Sequence, residues 1–163
     1  KRGDINSVVR DSVDYLKRKL PSIDNRITIK EQYDAHKKID YDYDLLSWVI
    51  ENLVKNAIDA MDKKKGIIEV STKDSLNAKY VEIRVCDNGR GIAKGERKRV
   101  FEAGFTSKQF GWGLGLAITR RIVDDYHNGR ILIENTSKGK GSTFLIYLPV
   151  VSMKGEEKKQ KKV

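Results

Sequence analysis

The chain has 163 residues, enough for one domain around one buried core, with an apolar share ordinary for a globular protein. Its 33 basic and 23 acidic residues leave a formal charge of +10, which suits nucleic acid, an anionic membrane surface, a polyanionic small ligand or plain solubility, and so decides among none of them. The exclusions are narrower: no apolar run is long enough to cross a bilayer, a lone Cys86 forbids an internal disulfide, and one cysteine with two distant histidines gives no zinc-site spacing.

In chain order, Asp4 to Leu20 reads as a helix: Ile5, Val8, Val9, Val13, Leu16 and Leu20 recur at helical spacing, with Asp4 as N-cap and Pro21 as stop. Lys1 leads into this amphipathic segment with no signal-peptide pattern, so the sequence reads as a piece of a longer protein, cytoplasmic in this part. Short strands are expected at Arg26 to Glu31 and His36 to Asp40, followed by the longest helical pattern, Asp42 to Met61. Gly66 to Thr72 and Tyr80 to Cys86 read as strands, the second alternating Val81, Ile83 and Val85 with Glu82 and Arg84. Cys86, in that alternating run, reads as a small buried hydrophobe.

From Asp87 to Gly113 the chain is glycine-rich, basic and nearly aperiodic; loops beyond about 15 residues are usually functional or mobile. Leu114 to Tyr126 is helical and stops at Asn128-Gly129, and Arg130 to Asn135 and Ser142 to Leu148 close the pattern as strands around the turn Ser137 to Gly141. Lys154 to Val163 holds five lysines against two glutamates without apolar pattern and reads as a disordered tail. The expected organisation is one domain over residues 1–150 and a basic tail over 151–163. Within the domain a mixed sheet is expected with helices packed on one face.

On the long helix, Asn52, Asn56, Asp59 and Lys63 follow one another by four, three and four residues and form one polar stripe, beside apolar Leu46, Val49, Ile50, Leu53, Ala57 and Ala60. Such a stripe is either a solvated face or a ligand face. Two asparagines one turn apart are poor helix formers for mere solvation, and their amide oxygens are neutral hard ligands that suit a hydrated magnesium ion. Asp87 falls by period two on the face of Val81, Ile83 and Val85. On a core face it needs a hydrogen-bond donor, which an adenine amino group would supply; Asp-Asn-Gly is equally a turn signal, and both readings stand. Gly89 and Gly91 let backbone approach a flat ligand, and Gly111 to Leu116 is a second glycine cluster opening a helix whose free N–H groups suit phosphate. It is neither a Walker A loop, lacking Gly-Lys-Ser/Thr, nor a dinucleotide fingerprint, lacking a preceding strand.

Taken together, Asn52 to Ala57, Asp87 to Ile92, Phe101 to Lys108, Gly111 to Leu116 and Gly139 to Phe144 resemble, in order and spacing, the N, G1, F and G2 boxes and closing turn of the GHKL ATPase/kinase superfamily. The resemblance covers residues 1–150 and implies an α+β fold: a two-layer α/β sandwich, with a mixed, mostly antiparallel sheet and about three helices on one face. It implies an ATP site in which Asn56 holds Mg2+ with Asn52 assisting, Asp87 binds the adenine amino group, and Gly89, Gly91 and Ile92 shape the adenine wall. Asp59, Ala60 and Lys63 continue the site along the helix. Lys108 and the amides around Gly113, Leu114, Gly115 and Leu116 meet the phosphates, Thr106, Ser107, Gly111 and Trp112 belong to the same ATP site, and Ser142 stands at the usual threonine position beside the adenine.

Hydrolases of this superfamily activate water with a glutamate where this chain has Asn52, an amide that cannot act as a base, so the resemblance points to a histidine kinase. Two departures stand out. Asp59 replaces a frequent Lys or Arg, leaving a phosphate role to Lys63 or Lys55, and Trp112 replaces a small residue, where packing is the simpler role. Neither His36 nor His127 suits a phosphoacceptor, the latter being placed to complement a helix dipole. The acceptor is expected on a helical dimerisation domain of the same parent protein, with a response regulator downstream. No nucleic-acid motif is present, and no membrane contact is expected of this domain. The rival readings are a serine kinase of the anti-sigma-factor type and a nucleotide-dependent binding module.

Overall fold

In the computed structural model, which describes residues 1–104 and 115–151 (the side chains of Ile23 and Asn135 aside), the first element is a two-residue strand, β1 (Arg2–Gly3). It pairs antiparallel with β3 (Ile39–Asp40), a ribbon too short to show any periodicity in sequence. Between them run α1 (Ile5–Ile23) and β2 (Ile27–Asp34). Asp4 caps α1 as expected, its Oδ1 accepting the Asn6 N–H at 2.8 Å. Pro21, expected to stop the helix, lies inside its last turn. Proline removes only its own N–H from the ladder, and the Asp24 N–H still donates to the Leu20 carbonyl at 2.8 Å before Asp24 turns extended. The strand expected from His36 shrinks to Ile39–Asp40, because the His36 and Lys37 N–H groups donate to the Asp74 carboxylate instead.

The chain continues through α2 (Tyr43–Asp59), β4 (Gly66–Asp74), β5 (Tyr80–Asp87), a single 3-10 turn (Lys94–Glu96), α3 (Gly115–Arg121) with a π-helical turn (Ile122–Tyr126), β6 (Arg130–Ser137) and β7 (Gly141–Pro149). The main sheet has the order β2-β4-β5-β7-β6, with only β2 and β4 parallel. Period two settles its faces: Val81, Ile83 and Val85 are buried while Glu82 and Arg84 are half-exposed.

The buried face meets Ile5, Val9 and Leu16 of α1 and Leu46, Ile50 and Leu53 of α2 in one core. Each such side chain contributes about 2–3 kcal/mol on burial. Asp42 caps α2 by accepting the Leu45 N–H at 2.9 Å, which fixes where the helix starts and so which turn carries Asn52 and Asn56. The architecture is the expected two-layer sandwich with the helices on one side. Among the described residues no helix is long and apolar enough to cross a membrane.

Candidate functional site

β5 ends at Asp87, whose side chain continues the buried row of Val81, Ile83 and Val85 and is 8% exposed. Its Oδ1 accepts the Gly89 N–H at 2.9 Å, closing a local turn, and the Ser142 N–H of β7 also donates to the carboxylate. Asp87 therefore shapes a turn and also projects on the core face. Burial pushes its carboxyl above the usual range, while the two N–H donors and the Arg90 charge pull it part of the way back.

The turn after β5 lies directly on the end of α2. A Cβ on Gly89 would sit 2.4 Å from the Ala60 carbonyl oxygen, which itself accepts the Arg90 N–H at 2.9 Å; Arg90 Nη1 donates to the Asp59 carbonyl at 3.2 Å. Gly91, at φ +72°, would place a Cβ 2.0 Å from the Ser137 carbonyl. The room these glycines leave is thus filled by protein backbone. Any ligand wall they form is a main-chain wall held by the β6–β7 turn and by α2.

On α2, Asn52 donates from Nδ2 to Thr119 Oγ1 at 3.0 Å, and Thr119 is fully buried. A Cβ on Gly115 would lie 2.8 Å from Asn52 Oδ1, so α3 begins against this amide. Asn56, one turn on, is half-buried, as are Ala60, Ile92 and Leu116. Asp59 is exposed, and Lys63 pairs with Asp62 at 2.9 Å. Ser142 is buried directly across from Asp87. The fold therefore gathers the C-terminal half of α2, the Asp87–Ile92 turn, the β6–β7 turn and the start of α3 around one place. Thr106, Ser107, Lys108, Gly111, Trp112, Gly113 and Leu114 lie outside the described residues. On their flanks, Phe101 packs edge-on against Phe144 at 6.2 Å between centroids, and Arg120 Cζ lies 5.3 Å from the Phe101 ring centre.

Three residues of this region escaped the sequence reading, and a fourth, His127, makes a long-range contact that its place at a helix end did not suggest. Thr119 orients Asn52. Asn88 accepts the Ile67 N–H at 2.9 Å and donates to the Lys65 carbonyl at 3.1 Å, fastening the α2–β4 connection. Thr136 accepts the Ile92 N–H at 3.0 Å. His127 is 6% exposed; its Nδ1 meets the Ile122 carbonyl at 2.9 Å and its Nε2 accepts the Asp42 N–H at 3.1 Å. His127 lies at the helix end, where its Nδ1 meets a carbonyl of the last turn. Engaged at both nitrogens, the ring pins the end of the π-helical turn to the start of α2. Hydroxyls and imidazoles of this kind could be suspected only as polar residues within apolar runs, as Thr119 is beside Ile118 and Thr136 after Ile131 and Ile133.

The family model described as histidine kinase-, DNA gyrase B-, and HSP90-like ATPase matches residues 41–152, which hold every element of this site. The chain belongs to that family. Within this ATPase family it is similar to the sensor histidine kinase ZraS of Salmonella typhimurium, 35% identical over 150 residues, 91% of this chain and 31% of ZraS. It thus spans about a third of that relative's length. The nucleotide-free catalytic domain of the histidine kinase ThkA superposes with a TM-score of 0.78 at 28% identity, covering 92% of this chain and 95% of that one. ThkA in complex with the response regulator protein TrrA matches with a TM-score of 0.75 at 25% identity, over 93% of this chain and 42% of that one. The domain is an ATPase-family domain of the histidine-kinase type.

Proposed function

We propose that the chain binds Mg-ATP and presents the γ-phosphate to a histidine on a separate helical dimerisation domain of the same parent protein. The supporting observation is Asp87: a carboxylate buried beside Gly89 and Ser142, in a setting that favours a neutral N–H donor such as an adenine amino group. The amide at Asn52, oriented by Thr119, offers no general base for water, which favours transfer over hydrolysis.

The donors present suit magnesium. Amide oxygens are neutral hard ligands for a hydrated ion, so it would rest on Asn56 Oδ1, with Asn52 beside it, and on the phosphates themselves. When bound, the ion neutralises phosphate charge and ATP supplies the phosphoryl group; the chain contributes positioning and charge, the main terms in this chemistry. Asp87 and Ser142 hold the base, Gly89, Gly91 and Ile92 line it, and Gly115, Leu116 and Lys108 meet phosphates.

The nucleophile comes from outside. His36 is exposed on the short connection before β3, its N–H bonded to Asp74, and both ring nitrogens of His127 are engaged in the interior. The parent protein would be a sensor kinase carrying this domain on the cytoplasmic side, with a response regulator downstream as the ThkA–TrrA complex illustrates for that kinase.

Incubating the chain with γ-labelled ATP, alone and with a helical histidine domain from its parent protein, tests the reading. Magnesium-dependent binding, no self-labelling and acid-labile label on the added domain are expected. Acid-stable label would indicate a serine kinase, and binding without any transfer a nucleotide-sensing module. Asp87→Asn and Asn56→Ala should each weaken binding, and unchanged affinity in both would remove the assigned pocket.

A further inference from the structure

We infer that Thr136 is a positioning residue that makes the Ser142 hydroxyl a pure hydrogen-bond acceptor, so that Ser142 and Asp87 together select a nucleobase edge carrying an amino group over one carrying an oxo group. The inference rests on the reading that the base docks at Asp87.

Strand register places the Thr136 side chain. On β6, Ile131 and Ile133 face the core opposite Ile146 and Phe144, and strict alternation would turn Thr136 outward. The register shifts between Ile133 and Asn135, so that Glu134 is an extra residue and Thr136 lands opposite Ser142. A bulge of this kind re-aims the side chains that follow it. Here it drives a hydroxyl inward, to 3% exposure.

Three polar groups surround that hydroxyl. The Ile92 N–H donates to Thr136 Oγ1 at 3.0 Å, Oγ1 donates to the Gly141 carbonyl at 3.1 Å, and Ser142 Oγ lies 2.8 Å away. A hydroxyl has one proton and two lone pairs. Only one assignment satisfies all three contacts: the Thr136 proton goes to Gly141, one lone pair takes the Ile92 N–H, and the other takes the Ser142 proton. Ser142 Oγ then retains only lone pairs. Because Ser142 pairs with Asp87 across β5 and β7, and cross-strand partners share a face, the base would meet two acceptors side by side. An amino group satisfies them, directly or through water, whereas an oxo group leaves acceptors facing one another.

The test uses the intact chain and calorimetric titration with ATP and with inosine triphosphate, which carries oxygen in place of the 6-amino group. Wild type should prefer ATP. Thr136→Val, which frees the Ser142 proton to turn toward the oxo group, should compress the ATP/ITP ratio about tenfold, the effect of roughly one hydrogen bond. Thr136→Ser should restore it. A merely structural role would lower the melting temperature and weaken both nucleotides alike, leaving the ratio unchanged, and that result overturns the inference.

Ser142→Ala supplies a second route should Thr136→Val fold poorly. It should compress the ratio similarly, and Thr136→Ala, which removes the hydroxyl, should leave the ratio of Ser142→Ala unaltered in that background; a further shift there overturns the coupling. A wild-type preference that Asp87→Asn abolishes but Thr136→Val leaves intact refutes the Thr136 role alone. No wild-type preference at all refutes the base-docking reading with it.

Discussion

Replacing His127 by alanine should separate a structural histidine from a chemical one. The substitution takes the His127 acceptor from the Asp42 N–H at the start of α2 and removes the ring's contact with the Ile122 carbonyl. Each buried group left unsatisfied costs about 1–3 kcal/mol. Removing a buried ring also leaves a cavity, and large-to-alanine changes in cores cost about 2–5 kcal/mol. These contributions overlap, and water can reach the half-buried Asp42 N–H, so the expected loss is about 4 kcal/mol against a typical domain stability of 5–15 kcal/mol. His127→Phe keeps most of the volume and should cost about half as much, isolating the hydrogen bonds. Urea unfolding followed by circular dichroism gives both values from the midpoints, at unchanged slope. Mg-ATP should still raise the midpoint of whatever fraction folds. An alanine variant within about 1 kcal/mol of wild type would refute the pin. So would a variant of normal stability that had lost a phosphorylated histidine.

Two further perturbations test the site's foundations. Because burial raises the Asp87 carboxyl, the folded chain holds this proton more tightly than the unfolded one; the resulting stability is full below the usual carboxylate range and lost as pH rises through the raised value. Asp87→Asn should therefore gain stability relative to wild type as pH is taken from 4 to 7, while ATP binding weakens; a stability difference that stays flat with pH would refute this. Gly141→Ala forces a side chain onto φ +94° with its Cβ 1.9 Å from the Asp87 carbonyl, whereas Gly139→Ala meets φ +80° in open space. The second should cost about 1–2 kcal/mol, the left-handed penalty alone, and the first more than about 4 kcal/mol. Equal melting temperatures for the two variants would show that the close approach of β7 to the Asp87 turn is not needed.

Much of the architecture was legible because its signals are local. Alternation in Val81–Val85 and the helical recurrence of Leu46, Val49, Ile50 and Leu53 each involve neighbours within a few residues, and the folded chain buries all of them. The glycine turns were legible too, although their cause was not: the sequence suggested room for a ligand, while the folded chain fills that room with the Ala60 and Ser137 carbonyls. Pro21 misled because a proline in a last turn breaks one bond and not the helix. The unread parts are polar and long-range. Asn52 meets Thr119 67 residues away, and Asp42 meets His127 85 residues away. Thr136 was hidden twice, by distance from Ile92 and by a bulge that reverses the alternation on which a reading of β6 depends.

The single parallel pairing, β2 on β4, has a consequence for how the chain assembles. Antiparallel β4, β5, β7 and β6 include two pairs joined by short turns, but β2 reaches β4 only through a crossover that contains β3 and all of α2. Closing that crossover has to precede any gain from the parallel contacts, and non-local pairing of this kind is slow. The helix bearing Asn52 and Asn56 is itself the crossover, so competence to bind nucleotide should arrive with the slowest step of refolding. In stopped-flow refolding, a fluorescent ATP analogue should report later than far-ultraviolet circular dichroism. Until β2 closes, β4 presents an open edge to other chains, and concentrated refolding should lose material at that stage to aggregation.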